Sequence, residues 1–532
     1  MMEMYLQDDA LLFGLVIEAN ARFELWHERL LKEVQAIPGV QLASVALDPA
    51  TRPPAFESAL ASAAYRFDNF LTTRRGAAPR PDWQHAGVET PELGPDQTLD
   101  VVVDLRAQPG MRCGGSEAAR EVWSVDFLRG PNSPEQLGMH VAVAGYGAFP
   151  IALEQATEGG FQPIDHAVCA GRPSAARNLE QAQQVTIAMI LRTLRARIAG
   201  ARQRPADAEQ TGLQIQDTAL SQKVGSEQAI RFAGNFVSYA AARSADSLSK
   251  RISAWSGTLA PHFRLHHAKG SPLDFSLDES TALRSSRKHY LADPFLFRDG
   301  GKLWVFFELF DYASDTGSIA VAELTPKGLG PIETVLTGNG HLSYPHVFAH
   351  GGEIYMMPEC CARQCIEVWR AVRFPYEWEL VSTALEGALA VDSNLYHDGD
   401  KWWLFANVAF DAESDAGLEL RVYEADGPLL KGLTPQARNP VVADARFARN
   451  GGRVFWRDGK LYRPAQSLEY GQYGYGLYIM EILRLSHEDY EERPVRFIKG
   501  CHHMDSNGSD IIFDMRRGAT VQLPAAPEPP FR

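Results

Sequence analysis

Four segments in the C-terminal half of this 532-residue chain repeat one pattern, and that repetition restricts its fold more than any other feature. They are ADPFLFRDGGKLWVFFE (292–308), SYPHVFAHGGEIYMMPE (343–359), VDSNLYHDGDKWWLFAN (391–407) and GGRVFWRDGKLYRPAQ (451–466). In each, an aromatic residue (Phe297, Phe348, Tyr396, Phe455) is followed seven positions later by another (Trp304, Tyr355, Trp403, Tyr462), with a glycine-containing turn between. Two apolar runs around such a turn read as a β-hairpin. A third run of alternating apolar residues follows each hairpin, at 317–324, 364–372, 418–424 and 475–485. A weaker fifth copy, CHHMDSNGSDIIFDMR (501–516), keeps the turn glycine and replaces the aromatics. Units of this size cannot bury both faces alone, and radial stacking solves that. The expectation is a five-bladed β-propeller over residues 256–518, closed by a strand at 262–267 paired with the last blade. A two-sheet sandwich would need the seven-residue spacing to recur four times by coincidence.

In a propeller the first strand of each blade lines the axis. The residue four before the leading aromatic then faces a common funnel, which gives Asp293, Tyr344, Asp392, Gly451 and Cys501. Four residues past the second aromatic stand Glu308, Glu359, Asn407 and Gln466, with Arg516 in the fifth copy. Polar residues at one equivalent position, inside strands otherwise built from Val, Phe, Leu and Tyr, suggest a polar ring around one ligand. Carboxylates and amides bracket vicinal hydroxyls, so the ring suits a sugar. The candidate catalytic residues are Asp293, Asp392 and Glu359. The candidate binding residues are Glu308, Tyr344, His346, Asn407, Arg463, Gln466 and Arg516. Trp304 and Trp403 read as blade core rather than as a stacking platform.

The N-terminal half has a different grammar. Apolar runs at 11–18, 40–47 and 99–105 read as strands, and helical periodicity covers 23–37 and 179–198. Strand, helix, strand at this spacing predicts an α/β layer with a parallel sheet, of Rossmann-like type. The expected domains are residues 1–205, a helical linker 206–255 with a helix at 229–252, the propeller, and a disordered tail 519–532. A net charge of −14 argues against nucleic acid as a partner. No apolar run is long enough to span a bilayer, and the N-terminus lacks the basic region of a signal peptide, so a cytoplasmic protein is expected. The six cysteines fit no zinc spacing and read as free thiols. No dinucleotide or phosphate-binding glycine motif is present, and neither a cofactor nor a metal is expected.

The element order over about 11–200, including EVWSVDFLRG (121–130), resembles the formyltransferase fold of methionyl-tRNA and sugar-amine formyltransferases. That family's Asn-x-His pair is missing there, and TEGGF (157–161) lacks its later Asp, which implies a catalytically degenerate relative. Ala292-Asp293-Pro294 with its hairpin, and Val391-Asp392-Ser393 with LYHDGDKWWL, resemble blades one and three of arabinanase and β-xylosidase-type propeller glycosidases. That likeness implies Asp293 as general base and Asp392 as the residue that tunes the acid. Its third member, a Glu opening blade four, is replaced here by Phe447-Ala448-Arg449-Asn450-Gly451, leaving Glu359 or Glu308 as substitute acid. KHYLADPFLF, LSYPHVFAHGGEIYMMPE and LYRPAQSLEYGQYGYGLYIMEI resemble the propeller domain found in glucosamine inositolphosphorylceramide transferases, whose bacterial relatives join it to a formyltransferase-like N-terminus. This resemblance implies glycan or glycolipid biosynthesis, with a sugar, sugar nucleotide or glycoconjugate in the funnel and glycosyl transfer as one outcome. A propeller glycoside hydrolase (Asp293 base, Glu359 acid), a non-catalytic sugar-binding scaffold and an amino-sugar formyltransferase stay open beside it, as do the sugar, the acceptor and the oligomeric state.

Overall fold

The four aromatic pairs stand directly opposite one another across their hairpins: Phe297 with Trp304, Phe348 with Tyr355, Tyr396 with Trp403, and Phe455 with Tyr462. The computed structural model describes residues 10–18, 25–48, 56, 58–72, 98–106, 119–128, 134–200, 224–256, 263–283, 288–338, 340–409 and 415–516. The expected tail, Cys113 and most of the non-helical linker lie outside these residues. The chain divides into two compact units, Met1–Tyr239 and Ala240–Leu523.

In the first unit, strands β1 (Leu11–Glu18), β2 (Val40–Asp48), β3 (Leu99–Asp104) and β4 (Ala119–Val125) run parallel in the order β2-β1-β3-β4. An antiparallel hairpin, β5 (Ala148–Thr157) and β6 (Gly160–Ala170), completes the sheet beside β4. Helix α1 (Leu25–Gln35) makes the β1-to-β2 crossover that parallel pairing requires. The long helix expected at 179–198 begins earlier, as Ala175–Ile198, because Ser174 caps it by accepting from Arg177 N–H while donating to buried Asp68. The helix expected at 229–252 spans Ser226–Ser256. TEGGF forms the turn between β5 and β6.

The second unit is the five-bladed propeller. Its blades begin at His289, Ser343, Leu389, Arg449 and Cys501, and the fifth is completed by Phe263–Lys269, which pairs antiparallel with Asp510–Arg516. This late-to-early pairing closes the ring. Closure shows equally in the core, where five apolar clusters each join two neighbouring blades. Val305 and Phe307 of blade one meet Leu265 and Ile512 of blade five, and Phe306 and Ile319 meet Val347 and Met356 of blade two. Trp304 and Trp403 belong to these clusters, as expected.

The inner strands are not regular. The register shifts between Ala292 and Phe295, between Ser343 and His346, between Val391 and Asn394, and between Cys501 and His503. Each shift is a β-bulge, which adds a residue and turns a side chain out of the alternating pattern. The bulged residues Asp293, Tyr344 and Asp392 have φ of 50°, 47° and 48°, the left-handed region that side chains with a Cβ rarely adopt. In blade four Gly452 has φ 149°, and a Cβ there would meet the Met504 carbonyl oxygen at 1.8 Å.

The preceding blade holds the bulges in place. Asp293 N–H donates to Asp514 Oδ2 (3.0 Å), Asp392 N–H to Glu359 Oε2 (3.1 Å), and Asn450 N–H to Asn407 Oδ1 (2.9 Å). The Asn407 amide also donates to the Glu419 and Ala448 carbonyls, both at 2.8 Å. Asn407 therefore clamps two blades together, a role the ligand-ring reading did not assign it. Asn407→Ala leaves one N–H and two carbonyls without this partner, and the expected loss of unfolding free energy is roughly 2–4 kcal/mol. Urea denaturation measures it, and unchanged stability would contradict the clamp.

Candidate active site

The bulges open a cavity of about 240 Å³ at one end of the axis, lined by Ala292, Asp293, Glu308, Ser343, Glu359, Asp392, Arg449 and His502, with Phe263, Tyr290, His341 and Tyr473 around them. All of these residues belong to the propeller. Beyond it the axis is filled. Phe295, Tyr344 and His503 touch with ring centroids 4.7–5.0 Å apart, and Tyr344 Oη accepts from Gly452 N–H (3.0 Å) and from the Asn394 amide (2.5 Å). The cavity is blind.

Four expected site residues meet in it: Asp293, Asp392, Glu308 and Glu359. The others do not line it. Tyr344 and His346 lie in the axial filling, the latter with Nε2 3.2 Å from the Leu395 carbonyl oxygen. Gln466 stands behind Asp392, donating to its Oδ2 at 3.2 Å. Arg463 is a buried strut of blade four, paired with Glu492 and donating to Asn450 Oδ1 and the Phe447 carbonyl. Arg516 braces the Tyr473 loop by donating to the Tyr473 carbonyl. In the fifth blade the bulge shifts the equivalences. His502, not Cys501, reaches the cavity, and Asp514, not Arg516, is the clamp.

Arg449 and His502 are the charged residues that the sequence reading missed. Arg449 Nε donates to Asp392 Oδ2 at 2.6 Å, in the slot where the glycosidase resemblance put a Glu. That substitution was the available signal. Burial opposes its charge, but Asp392 prevails and holds the guanidinium well above its ordinary range. His502 Nδ1 lies 3.1 Å from Asp514 Oδ2 and 3.4 Å from Asp293 Oδ1. Burial disfavours its cation, yet Asp514 and then Asp293 raise its pKa above the usual histidine value.

Two of the acids are held toward their neutral form. Burial drives the Asp293 carboxyl up to about 7, against the pull of His502 and with help from Asp514 and Asp392. Burial, then Asp293 and Glu359, hold Glu308 well above the carboxylate range. His341 accepts from Gly317 N–H on Nδ1 at 3.0 Å, so its proton is on Nε2, 3.3 Å from Glu308 Oε1; burial keeps the ring neutral. Asp293 Oδ1, Glu308 Oε1 and His502 Nε2 are buried and make no well-directed hydrogen bond among the described residues, although His502 Nδ1 lies 3.4 Å from the first and His341 Nε2 3.3 Å from the second. Three unsatisfied polar atoms around one cavity are costly unless a ligand meets them. Asp293, His502 and Asp514 could also each offer a metal-ligand atom, all within 4.8 Å of one another. In the present geometry the His502 Nδ1 proton occupies the space between the two carboxylates.

All the residues lining this cavity except Phe263 fall in a segment with known relatives. Residues 278–510 match the family model described as glucosamine inositolphosphorylceramide transferase 1, N-terminal. The match falls on the propeller, as the motifs around KHYLADPFLF implied. Glucosamine inositolphosphorylceramide transferase 1 of Oryza sativa subsp. japonica is 36% identical over 214 residues, and that of Arabidopsis thaliana 37% over 215. Each alignment covers 39% of this chain and 28% of the relative, so the chain spans little more than a quarter of the curated relatives it matches. Among solved structures, a β-xylosidase/α-arabinofuranosidase from a compost metagenome aligns with 42% of this chain and 85% of its own at 13% identity and a TM-score of 0.32. An α-L-arabinanase of Cellvibrio cellulosa aligns with 38% and 77% at 13% identity and a TM-score of 0.29.

The raised Asp293 pKa has a consequence for stability. A buried acid that holds its proton more tightly when folded contributes stability that is complete below its unfolded pKa, near 4, and is lost as pH rises to about 7. Wild type should therefore lose stability relative to Asp293→Asn as pH rises from 5 to 8. A carbon-detected titration should place the Asp293 carboxyl near 7, and higher still in His502→Gln. An ordinary carboxylate value in either protein contradicts the electrostatic account.

Proposed function

We propose that the propeller binds the sugar end of a glycoconjugate in this cavity and acts in glycan or glycolipid biosynthesis. The observation that carries the reading is the convergence of four carboxyl groups and Tyr290, Phe263 and Tyr473 on one blind cavity. Carboxyl oxygens suit hydroxyl groups, and aromatic rings suit the apolar face of a pyranose. The relatives named glucosamine inositolphosphorylceramide transferase support the setting.

Making or breaking a glycosidic bond calls for a proton donor at the leaving oxygen and an opposing carboxylate. Glu308, kept neutral by burial, suits the first role. Asp293, close to half-protonated near neutral pH, suits the second. Glu359 suits the donor role less well than its place in the repeat suggested, because its Oε2 already accepts the Asp392 N–H. The positive charge of Arg449 in the usual acid position weighs against simple hydrolysis and toward transfer or binding. For the first unit we propose a Rossmann-like, formyltransferase-type domain without formyl transfer. Its parallel order β2-β1-β3-β4 supports this, as does the engagement of Asp104 by Arg106 and of Asp165 by Arg192.

The test uses p-nitrophenyl glycosides for turnover and methyl glycosides for binding. A catalytic cavity predicts that Asp293→Asn and Glu308→Gln each lower turnover about 100-fold or more with the melting temperature retained. A binding scaffold predicts no turnover and a stepwise loss of affinity, about 1.5–3 kcal/mol for each charged hydrogen bond removed. Unchanged binding together with unchanged turnover in Asp293→Asn would remove the cavity as the functional site.

A further inference from the structure

The proposed sugar site leaves open which partner of a transfer reaction it would hold, the nucleotide-activated donor or the acceptor glycan. Charge, shape and unused polar atoms bear on that choice, and they agree.

The charge comes first. A diphosphate needs arginine or lysine side chains, backbone N–H groups or a bound cation free to face it. Among the described residues no lysine lines the cavity. The Arg449 Nε donates to Asp392, and its guanidinium lies over the Tyr473 ring at 5.2 Å. His502 directs Nδ1 at two carboxylates. His341 faces Glu308 and is kept neutral by burial. Each cation at the wall thus already faces a carboxylate, Arg449 facing Asp392 and His502 facing Asp514 and Asp293, so no positive charge is left over for a phosphate. The two bulge N–H groups at the wall, those of Asp293 and Asp392, already donate to Asp514 and Glu359.

Shape gives the same answer. The cavity, about 240 Å³, lies below the roughly 300–1,000 Å³ of pockets that enclose drug-sized ligands. Its floor is the packed layer of Phe295, Tyr344 and His503, so nothing passes along the axis. A ligand enters from one side and stops after a single ring. The unused atoms complete the case. Asp293 Oδ1, Glu308 Oε1 and His502 Nε2 offer both acceptors and donors, the complement of ring hydroxyls.

Resting on the sugar-site reading above, we infer that the cavity takes the terminal, unphosphorylated sugar of an acceptor glycan end-on, and does not take a nucleotide-activated sugar. The experiment is calorimetry on the full chain with methyl glycosides of glucose, galactose, mannose, glucosamine and N-acetylglucosamine, and with UDP, UDP-glucose, UDP-galactose and UDP-N-acetylglucosamine, each with and without Mg²⁺. The expected result is that at least one methyl glycoside binds and loses at least tenfold in affinity in Glu308→Gln. UDP should not bind, and no UDP-sugar should bind more tightly than its methyl glycoside. Asp293→Asn serves as the second variant should Glu308→Gln fail to fold. A UDP-sugar at least tenfold tighter than its methyl glycoside, with the advantage lost in Arg449→Gln or dependent on Mg²⁺, overturns this inference and leaves the sugar site standing. Binding of no sugar in the panel overturns both.

Discussion

The site depends on a backbone irregularity, the bulge in the inner strands of blades one, two, three and five. A regular strand would alternate its side chains between the two blade faces and send none along the axis. The extra residue breaks that alternation and turns Asp293, Tyr344, Asp392 and His502 toward the centre. For the first three it also imposes a left-handed φ. Such conformations cost of order 1–3 kcal/mol each and persist only where the surroundings enforce them. Here the enforcement comes from the preceding blade, whose Asp514, Glu359 or Asn407 takes an N–H of the next inner strand. Ring closure by Phe263–Lys269 completes the constraint, because Asp514 of the last blade holds Asp293 of the first.

Clamps and cavity share residues, which explains how so many acids can be buried together. Glu359 is at once a clamp and part of the cavity wall. Asp514 fixes the Asp293 backbone and the His502 ring, so the orientation of the cavity histidine follows from the same contacts that hold the bulge. Asp392 is neutralised by Arg449, while Glu308 and Asp293 keep protons that burial makes hard to lose. A site arranged this way is preorganised, and its protonation responds to what enters it.

Sequence reading recovers what periodicity encodes. The aromatic pairs fixed four hairpins in register, and the glycine turns and third strands marked the blades. The closing strand was legible as well. What it misjudged was local. Counting a constant offset from the aromatics is safe only while the bulges sit at the same place. In the fifth copy, without aromatics, the offset slipped and chose Cys501 and Arg516 over His502 and Asp514. Equivalent polar residues were read as one ligand ring, although Asn407 and Gln466 satisfy buried backbone groups or neighbouring side chains. Nothing in their residue types separates a buried amide that clamps from one that binds; only the hydrogen-bond partners do. Arg449 and His502 carry no periodic signal: Arg449 pairs regularly with Gln466, and His502 stands at the bulge of the copy that lacks the aromatics.

The proposed sugar site stands on the bulge carboxyls Asp293 and Asp392 and on two oxygens without a hydrogen bond among the described residues, Asp293 Oδ1 and Glu308 Oε1. A crystal structure of the chain soaked with a methyl glycoside tests it most directly. The expected result is one sugar ring seated between Asp293 and Asp392, its hydroxyls within about 2.5–3.0 Å of Asp293 Oδ1 and Glu308 Oε1. A glycoside bound elsewhere on the chain, with the cavity side chains unmoved and unoccupied, would contradict it.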